Sequence, residues 1–304
     1  MGVTFSQIEQ HSTEDPHFLF LDLPAEIRVK IYEEVLVVGK IFYTPNDYDI
    51  WNGNRCRGHK LFRKPELQLL RVSKQIHAEA EPVYLSRNLF VLPIKWPDFQ
   101  PFKELSHFHI RDMESNARHL FSVSGLSHIK NVGVAVDQSL CEGSAKVLGS
   151  DCWKRDELVY GEPPFTQLSR LKRLEKAHEI HLSHVRDVWR GMLGHLAHFQ
   201  SRLKYIEIDF TNAFCPIGDC RPIWAASCGW IETMKPESVD IIGLQTLRER
   251  REFIYHVIMD GKASEWDLEE KYALRFRNIG QAVPWDRWMI EGEMEDESKH
   301  YVCL

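Results

Sequence analysis

The sequence predicts a protein of the α/β or α+β class, in which an N-terminal part of helices and short strands precedes a mixed α/β domain. Segments with apolar residues at helical spacing alternate with short runs of β-branched residues. This alternation is typical of α/β layers with some parallel strand pairing. The chain has 304 residues, of which 43% are hydrophobic and 27% are charged, as in an ordinary globular protein. We therefore expect the bulk of the chain to fold.

The first predicted helix runs from Pro24 to Val37. Proline suits the first helical position, because its missing N–H would be unsatisfied there in any residue. The helical pattern ends before Gly39, and glycine often follows a helix C-terminus. Five apolar residues are expected to form the buried stripe: Ile27, Ile31 and Val35, widened by Tyr32 and Leu36. Five charged residues are expected on the other side: Glu26, Arg28, Lys30, Glu33 and Glu34.

A second helix is predicted to begin at Pro65, after a short strand over residues 40–44 and a loop over residues 45–60. Pro82 is expected to break or kink this helix, because proline removes a backbone hydrogen bond. A strand is predicted over residues 88–93.

Two strands with clear alternation are predicted further along the chain, over residues 128–137 and 203–210. In the first, Val132, Val134 and Val136 share one face. In the second, two sets of residues face opposite ways: Ile206, Ile208 and Phe210 against Tyr205, Glu207 and Asp209.

Helices are predicted between and after these strands. The pattern over 168–196 is too long for one helix of a globular domain and predicts two. A helix over 244–259 should follow a short strand over 239–243, and residues 266–278 also read as helical. We find no repeat of fixed period, so the sequence does not predict a solenoid.

Composition excludes several classes of protein. A net charge of −6 and a pI near 6.2 argue against a dedicated nucleic-acid binder, which would carry a basic face. No apolar run approaches the roughly 18 residues of a membrane span, so we expect no stable membrane insertion. Seven scattered cysteines and no secretory signal predict reduced thiols in the cytoplasm or nucleus.

Candidate chemistry in the sequence is weak. Cys215, Cys220 and Cys228 could contribute to a zinc site, but zinc needs a fourth ligand, and the alternative is a tight turn with buried thiols. Histidines pair at helical spacing, at 178 and 181 and at 195 and 198, without a metalloprotease motif. The sequence lacks a nucleophile elbow and a phosphate-binding glycine loop. We therefore predict no catalytic residue and no cofactor.

Two stretches carry a resemblance to a known family. They are "LDLPAEIRVKIYEEVL" (21–36) and "LQLLRVSKQIHAEAEPVYLSRNLFVL" (67–92). Their Leu-Pro-x-Glu-Ile-Arg and Leu-Leu-Arg-Val-x-Lys-Gln-Ile helices resemble those of fungal F-box-like proteins. The turn "DFTNAFCPIGDCR" (209–221) resembles the same group.

The resemblance implies a non-catalytic interaction protein. An F-box docks on the adaptor subunit of a cullin–RING ubiquitin ligase, while the rest of the chain acts as the receptor for a protein substrate. The matching positions imply six adaptor-docking residues: Leu23, Pro24, Ile27, Ile31, Leu70 and Val72. The implied layout is a flexible N-terminus (1–17), an F-box-like region (18–93), an α/β recognition domain (94–290) and an acidic tail (291–304).

An alternative stays open, because this chain inserts a strand and a loop between Leu36 and Pro65, where a compact F-box has none. The chain could instead be a single α/β domain with a ligand-binding or enzymatic pocket, lined by groups such as Arg111 and Arg221. In that case the Ile27 and Ile31 face is buried and nothing docks. The exposure of these side chains distinguishes the two hypotheses.

Overall fold

The structure is a computed structural model that describes part of the chain. It covers residues 19–43, 62–94, 96–102, 119–136, 186–199, 203–211, 234–261 and 273–277, with isolated positions at 169, 172, 213 and 223. Side chains of the last helix are described through residue 256.

These ranges contain three α-helices and six strands whose first and last residues are defined. In chain order they are α1 (Ala25–Leu36), β1 (Lys40–Phe42), α2 (Lys74–Arg87), β2 (Leu89–Val91), β3 (Asn131–Ala135), β4 (Tyr205–Asp209), β5 (Ser238–Ile242), α3 (Leu247–Gly261) and β6 (Leu274–Arg277). Residues 186–194 are also helical. Short 3-10 helices lie at Phe20–Asp22, Leu67–Arg71, Trp96–Asp98, Gly125–Ser127 and His195–His198.

The six strands form one parallel sheet in the order β1-β2-β3-β4-β5-β6. This finding confirms the predicted mixed α/β class. Crossovers between parallel strands are right-handed almost without exception. Because every crossover here steps in the same direction, the connecting helices are expected on one face of the sheet.

One face of the sheet is apolar and carries the main core. Its central row is in register across five strands: Phe90, Val132, Ile206, Val239 and Leu274. These side chains are buried against Leu85 of α2, Trp189 of the 186–194 helix and Phe253 of α3. The described helices between strands therefore cover the same face, as the sequential strand order requires. The predicted alternation in β3 and β4 holds, since Val132, Val134, Val136, Ile206, Ile208 and Phe210 all belong to this core.

The opposite face of the sheet carries polar and charged residues near its centre. Gly133, Glu207, Asp240 and Arg275 lie side by side in one register row. Asn131 and Tyr205 occupy the row before them. The two faces therefore differ in chemistry, and the network on the polar face is described below.

Helix α1 begins one residue later than predicted. Pro24 is the N-cap rather than the first helical residue, and the helix ends at Leu36 rather than Val37. Gly39 follows with φ of 86°, a left-handed conformation that favours glycine and turns the chain into β1.

The prediction for the second helix was wrong at both ends. Residues Leu67–Arg71 form a 3-10 helix, and α2 begins only at Lys74, because the Ser73 hydroxyl caps it by accepting from the Ile76 N–H at 3.1 Å. Pro82 does not end α2, which continues to Arg87. Ala80 and Leu85 are buried on either side of Pro82, and their packing offsets the lost hydrogen bond.

The helix predicted over 266–278 was also wrong at its end, where Leu274–Arg277 forms β6. The period there is two rather than 3.6. Leu274 and Phe276 face the apolar core, while Arg275 and Arg277 reach Asp240 on the other face. The remaining residues of that prediction, the segment 168–185 apart from two isolated positions, and the acidic tail lie outside the described residues.

Candidate functional site

The residues implied in docking belong to a helical unit at the start of the chain. We use this name for the 3-10 helix Phe20–Asp22, α1, the 3-10 helix Leu67–Arg71 and α2. The unit has a small core of its own, formed by Tyr32, Leu36, Ile76 and Ala80. Phe20 packs on Tyr32 with ring centroids 5.8 Å apart, which holds the chain before α1 against the helix.

An ion pair between α1 and α2 fixes how the two helices pack. Arg28 Nε and Nη2 donate to the two carboxylate oxygens of Glu79, each at 2.9 Å, in a bidentate arrangement. Arg28 Nη1 also donates to the carbonyls of Leu21 and Leu23, at 3.1 and 2.5 Å. Tyr32 donates its hydroxyl to Glu79 at 3.0 Å. Arg28 of the first motif and Glu79 of the second are thus joined by direct hydrogen bonds.

This network shifts the protonation of its members. The hydrogen bond from Arg28, followed by that from Gln75, lowers the pKa of Glu79 to about 2. Burial and then the Glu79 carboxylate raise the pKa of the Tyr32 phenol. Glu79 therefore stays ionised through the physiological range, and the pair persists as a charged contact.

The network also sets which side of α1 faces inward. Arg28, Tyr32 and Leu36 follow a spacing of four and form the face packed on α2. The predicted stripe of Ile27, Ile31 and Val35 is offset by one residue, which rotates it by about 100° around the helix axis. The expectation that Arg28 lies on the solvent side was therefore wrong, because its guanidinium is paired at the helix interface.

Ile27 consequently faces outward, with 40% of its surface exposed, while Ile31 is half-buried at the edge of the interface. Pro24 is exposed, and Leu23 and Leu70 are half-buried. Val72 is 65% exposed, and Leu21 and Leu67 are 40% and 43% exposed. These three last side chains belong to the same helical unit, so several large apolar groups of this unit are in contact with water.

The two helices of the unit run parallel. Arg28 meets Glu79 in their first halves, and Leu36 meets Asn88 where both helices end, since Asn88 Nδ2 donates to the Leu36 carbonyl at 3.0 Å. Val72, just before α2, therefore lies at the same end of the unit as Ile27, in the first turn of α1. Leu21 also lies at this end, because its carbonyl binds Arg28. We call Leu21, Ile27 and Val72 the exposed apolar end.

A second cluster, on the polar face of the sheet, was missed by the sequence analysis. Asp240 is fully buried and accepts from Tyr205 Oη and from Arg275 Nε, each at 2.7 Å. It also forms an ion pair with Arg277, whose Nε lies 2.5 Å from Asp240 Oδ2. Burial and the carboxylates of Glu207 and Asp240 raise the pKa of Tyr205. Each group of this network has a partner inside it, so the cluster is best explained as a structural tie between β4, β5 and β6.

Other candidate residues do not form a site within the described residues. Cys215, Cys220 and Cys228, the histidines at 178, 181 and 184, and the arginines at 111 and 221 all lie outside those residues. The rings of His195 and His198 lie 5.4 Å apart, and burial together with His198 lowers the pKa of His195. Within the described ranges, no three side chains of His, Cys, Asp or Glu gather as metal ligands. Among the described helices, none combines the length and apolarity that crossing a membrane requires.

The chain was compared with protein-family models, with curated proteins and with solved structures, and none of the three comparisons found a match. The resemblance to F-box-like proteins therefore depends on the motif residues themselves.

Proposed function

We propose that this chain is a non-catalytic interaction protein that docks through its N-terminal helical unit on the adaptor subunit of a cullin–RING ubiquitin ligase. In this proposal the parallel-sheet part of the chain is the receptor for a protein substrate. Such a role also implies a location in the cytoplasm or nucleus. The proposal joins the two motifs of the sequence to the packing of the residues that carry them.

The observation that carries the proposal is the outward orientation of Ile27. The helical unit satisfies its own core with Tyr32, Leu36, Ile76 and Ala80 and still leaves large apolar side chains in water at one end. A fold that used the Leu-Pro helix only as core would bury Ile27, since full burial of an isoleucine is worth roughly 1.5–3 kcal/mol. Exposed apolar side chains gathered at one end of a folded unit are compatible with a surface that binds a partner.

The strand order lacks the feature at which doubly wound α/β sheets bind small molecules. In open α/β sheets, ligands bind in the crevice where the strand order reverses direction. The six strands here follow one another in sequence, so the described sheet contains no such reversal. Singly wound parallel arrangements also occur in repeat proteins, which bind partners over extended surfaces, and this use of the sheet is compatible with the proposal.

The test is binding of the purified chain to the adaptor, measured by titration calorimetry. Ile27→Asp and Val72→Asp place charges on the exposed apolar end without entering the unit's core. We expect the double variant to bind at least tenfold more weakly, which corresponds to about 1.4 kcal/mol. Because both side chains are exposed, its unfolding midpoint should stay close to that of the parent.

A control for the single substitution Val72→Asp is Val123→Asp, which adds one carboxylate at a valine that is 56% exposed elsewhere in the chain. This control should bind as the parent does. If Ile27→Asp/Val72→Asp remains folded and binds the adaptor with unchanged affinity, the docking proposal is wrong.

A further inference from the structure

Helix α3 presents an outward face that does not enter the core formed by the described residues. Its inner side packs through Phe253, which is fully buried between the rings of Phe210 and Phe276 at 5.9 and 6.2 Å. The outer side carries Leu247, 69% exposed, and Tyr255, 57% exposed. Large apolar side chains at such exposure on one helix face are a feature of binding surfaces.

Two arginines lie on the same outward face. Arg248 and Arg251 are exposed, and Leu247, Arg251 and Tyr255 follow the spacing of four that lines one side of a helix. We call Leu247, Arg248, Arg251 and Tyr255 the α3 surface. Neither of these arginines pairs with an acidic side chain in the part of the chain that the structure describes.

Among the described contacts, no nearby acidic side chain forms an ion pair with Arg248 or Arg251. Glu249 is used in a capping box: its carboxylate accepts from the N–H groups of Gln245 and Thr246, at 2.6 and 3.3 Å, while the Thr246 hydroxyl accepts from the Glu249 N–H at 3.1 Å. Glu252 is half-buried on the flank, without an ion pair to Arg248 or Arg251 among the described contacts. The third arginine, Arg250, lies over the Phe276 ring at 5.8 Å and belongs to the inner side.

The position of these charges carries a local penalty. A cation in the first turn of a helix opposes its macrodipole, and this effect decreases beyond that turn. Arg250 offsets this penalty through its contact with Phe276, whereas Arg248 and Arg251 gain no such contact within the described residues. Local rules are most often broken where a residue serves a function.

The α3 surface is rigidly held. Between β5 and α3 the chain passes through Gly243, whose φ is 83°, and a Cβ at this position would lie 2.5 Å from the backbone nitrogen of Thr211. This close approach and the capping box fix where α3 begins relative to the sheet. A pre-organised surface binds with a smaller loss of conformational entropy.

We propose that the α3 surface binds an acidic peptide segment of a partner protein, in which carboxylates flank an apolar or aromatic residue. Carboxylates match the fork of the guanidinium groups, and the apolar residue packs between Leu247 and Tyr255. A nucleic acid is the less favoured occupant, because a long polyanion extends beyond the two arginines and meets the rest of a chain whose net charge is −6, whereas a short acidic peptide contacts only the α3 surface. This inference goes beyond adaptor docking and involves a different part of the chain.

The experiment measures fluorescence anisotropy of a labelled short peptide in which glutamates flank a central Leu-Trp pair, titrated with the full-length chain. The same peptide with glutamine in place of each glutamate should bind at least tenfold more weakly. Arg248→Gln/Arg251→Gln should also weaken binding of the acidic peptide at least tenfold. It should keep the parent's thermal stability or exceed it, because it removes two charges that oppose the helix dipole.

A charge-matched control is Arg71→Gln/Arg190→Gln, which removes two exposed arginines outside α3. This control should leave peptide affinity unchanged, and Tyr255→Ser should weaken it. Equal binding of the acidic and glutamine peptides, or equal affinity of the α3 double variant and the parent, would overturn the inference. Tighter binding of a single-stranded DNA oligonucleotide than of the peptide would overturn it as well. Adaptor binding and peptide binding are measured in separate experiments, so a negative result for one proposal does not decide the other.

Discussion

Arg28 determines the orientation of α1 because its guanidinium reaches Glu79 and two carbonyls of the preceding turn. Its side chain lies on the face of α1 that packs on α2, together with Tyr32 and Leu36. A polar residue at the interface therefore turns the neighbouring isoleucine, Ile27, toward water. The surface proposed for adaptor docking is thus a consequence of one ion pair.

Glu79→Gln tests this pair through the pH dependence of stability. The folded-state pKa of Glu79 is lowered from 4.5 to about 2, so its stabilising contribution is complete above the unfolded pKa and is lost as pH falls toward 2. As the pH falls from the unfolded pKa toward 2, the thermal unfolding midpoint of the parent should decrease more steeply than that of Glu79→Gln, because the variant has no carboxylate to protonate at this position. Thermal melts between pH 5 and 2 provide the measurement. Parallel pH profiles of the two proteins would contradict the role given to the pair.

Asparagines close the junctions where helices pass into strands. Asn88, fully buried at the start of β2, accepts from the N–H groups of Val38 and Gly39 at 2.8 and 3.1 Å. It also donates to the carbonyls of Leu36 and Tyr84, at 3.0 and 2.9 Å. Asn131, the first residue of β3, makes similar hydrogen bonds at the next junction: its side chain donates to the carbonyls of Ser86 and Asn88 at 2.9 and 3.2 Å. Each junction is therefore closed by a side chain of the following element.

Asn88→Ala should be among the most destabilising substitutions at these junctions. It leaves backbone donors and acceptors of four residues without their partner in a buried site, and we expect a loss of about 3 kcal/mol in the free energy of unfolding. Urea denaturation of the variant and parent measures this loss. Gln245→Ala removes an exposed amide and serves as control. A change for Asn88→Ala no larger than that of the control would show that the junction does not depend on this residue.

At the scale of the whole molecule, the described part of the chain is organised around a parallel sheet in which each strand lies beside the strand that precedes it in sequence. Each strand pairs with the next in the chain, one face is apolar under the helices, and the polar face carries a buried charge network. This arrangement resembles a repeat protein in connectivity. The strands nevertheless begin at residues 40, 89, 131, 205, 238 and 274. Because this spacing is irregular, the sequence shows no repeat of fixed period that would predict the arrangement.

Hydrogen exchange should follow this architecture. Strands β3, β4 and β5 have five residues each and are paired on both sides, and the β3–β4 and β4–β5 ladders are five residues long, whereas β1 and β6 are the edge strands of the described sheet, with three and four residues. Local opening begins where few bonds must break. We expect amide exchange, followed by mass spectrometry, to be slowest in β3–β5 and fastest in β1 and β6. Uniform protection across all six strands would contradict this expectation.

Much of the fold could be predicted because helix and strand periods are local properties. The alternation in β3 and β4, the existence of α1 and the mixed α/β class all follow from neighbours a few residues apart. Where prediction failed, a distant partner decided the outcome. Residues 274–277 became a strand because Arg275 and Arg277 bond to Asp240, and α2 ran past Pro82 because packing on both sides held it.

The sequence by itself determined the apolar and polar patterns, the motif residues and the helix that carries Ile27. Only the tertiary structure decided that Ile27 faces water, because the residue that rotates α1 pairs with Glu79, 51 positions away. The same holds for the α3 surface: the sequence contains Arg248 and Arg251, but only the structure shows that Glu249 caps the helix, that Phe253 enters the core and that neither arginine has an acidic partner among the described residues. Periodicity extends over a few turns, whereas the orientation of a face is set by contacts that only folding brings together.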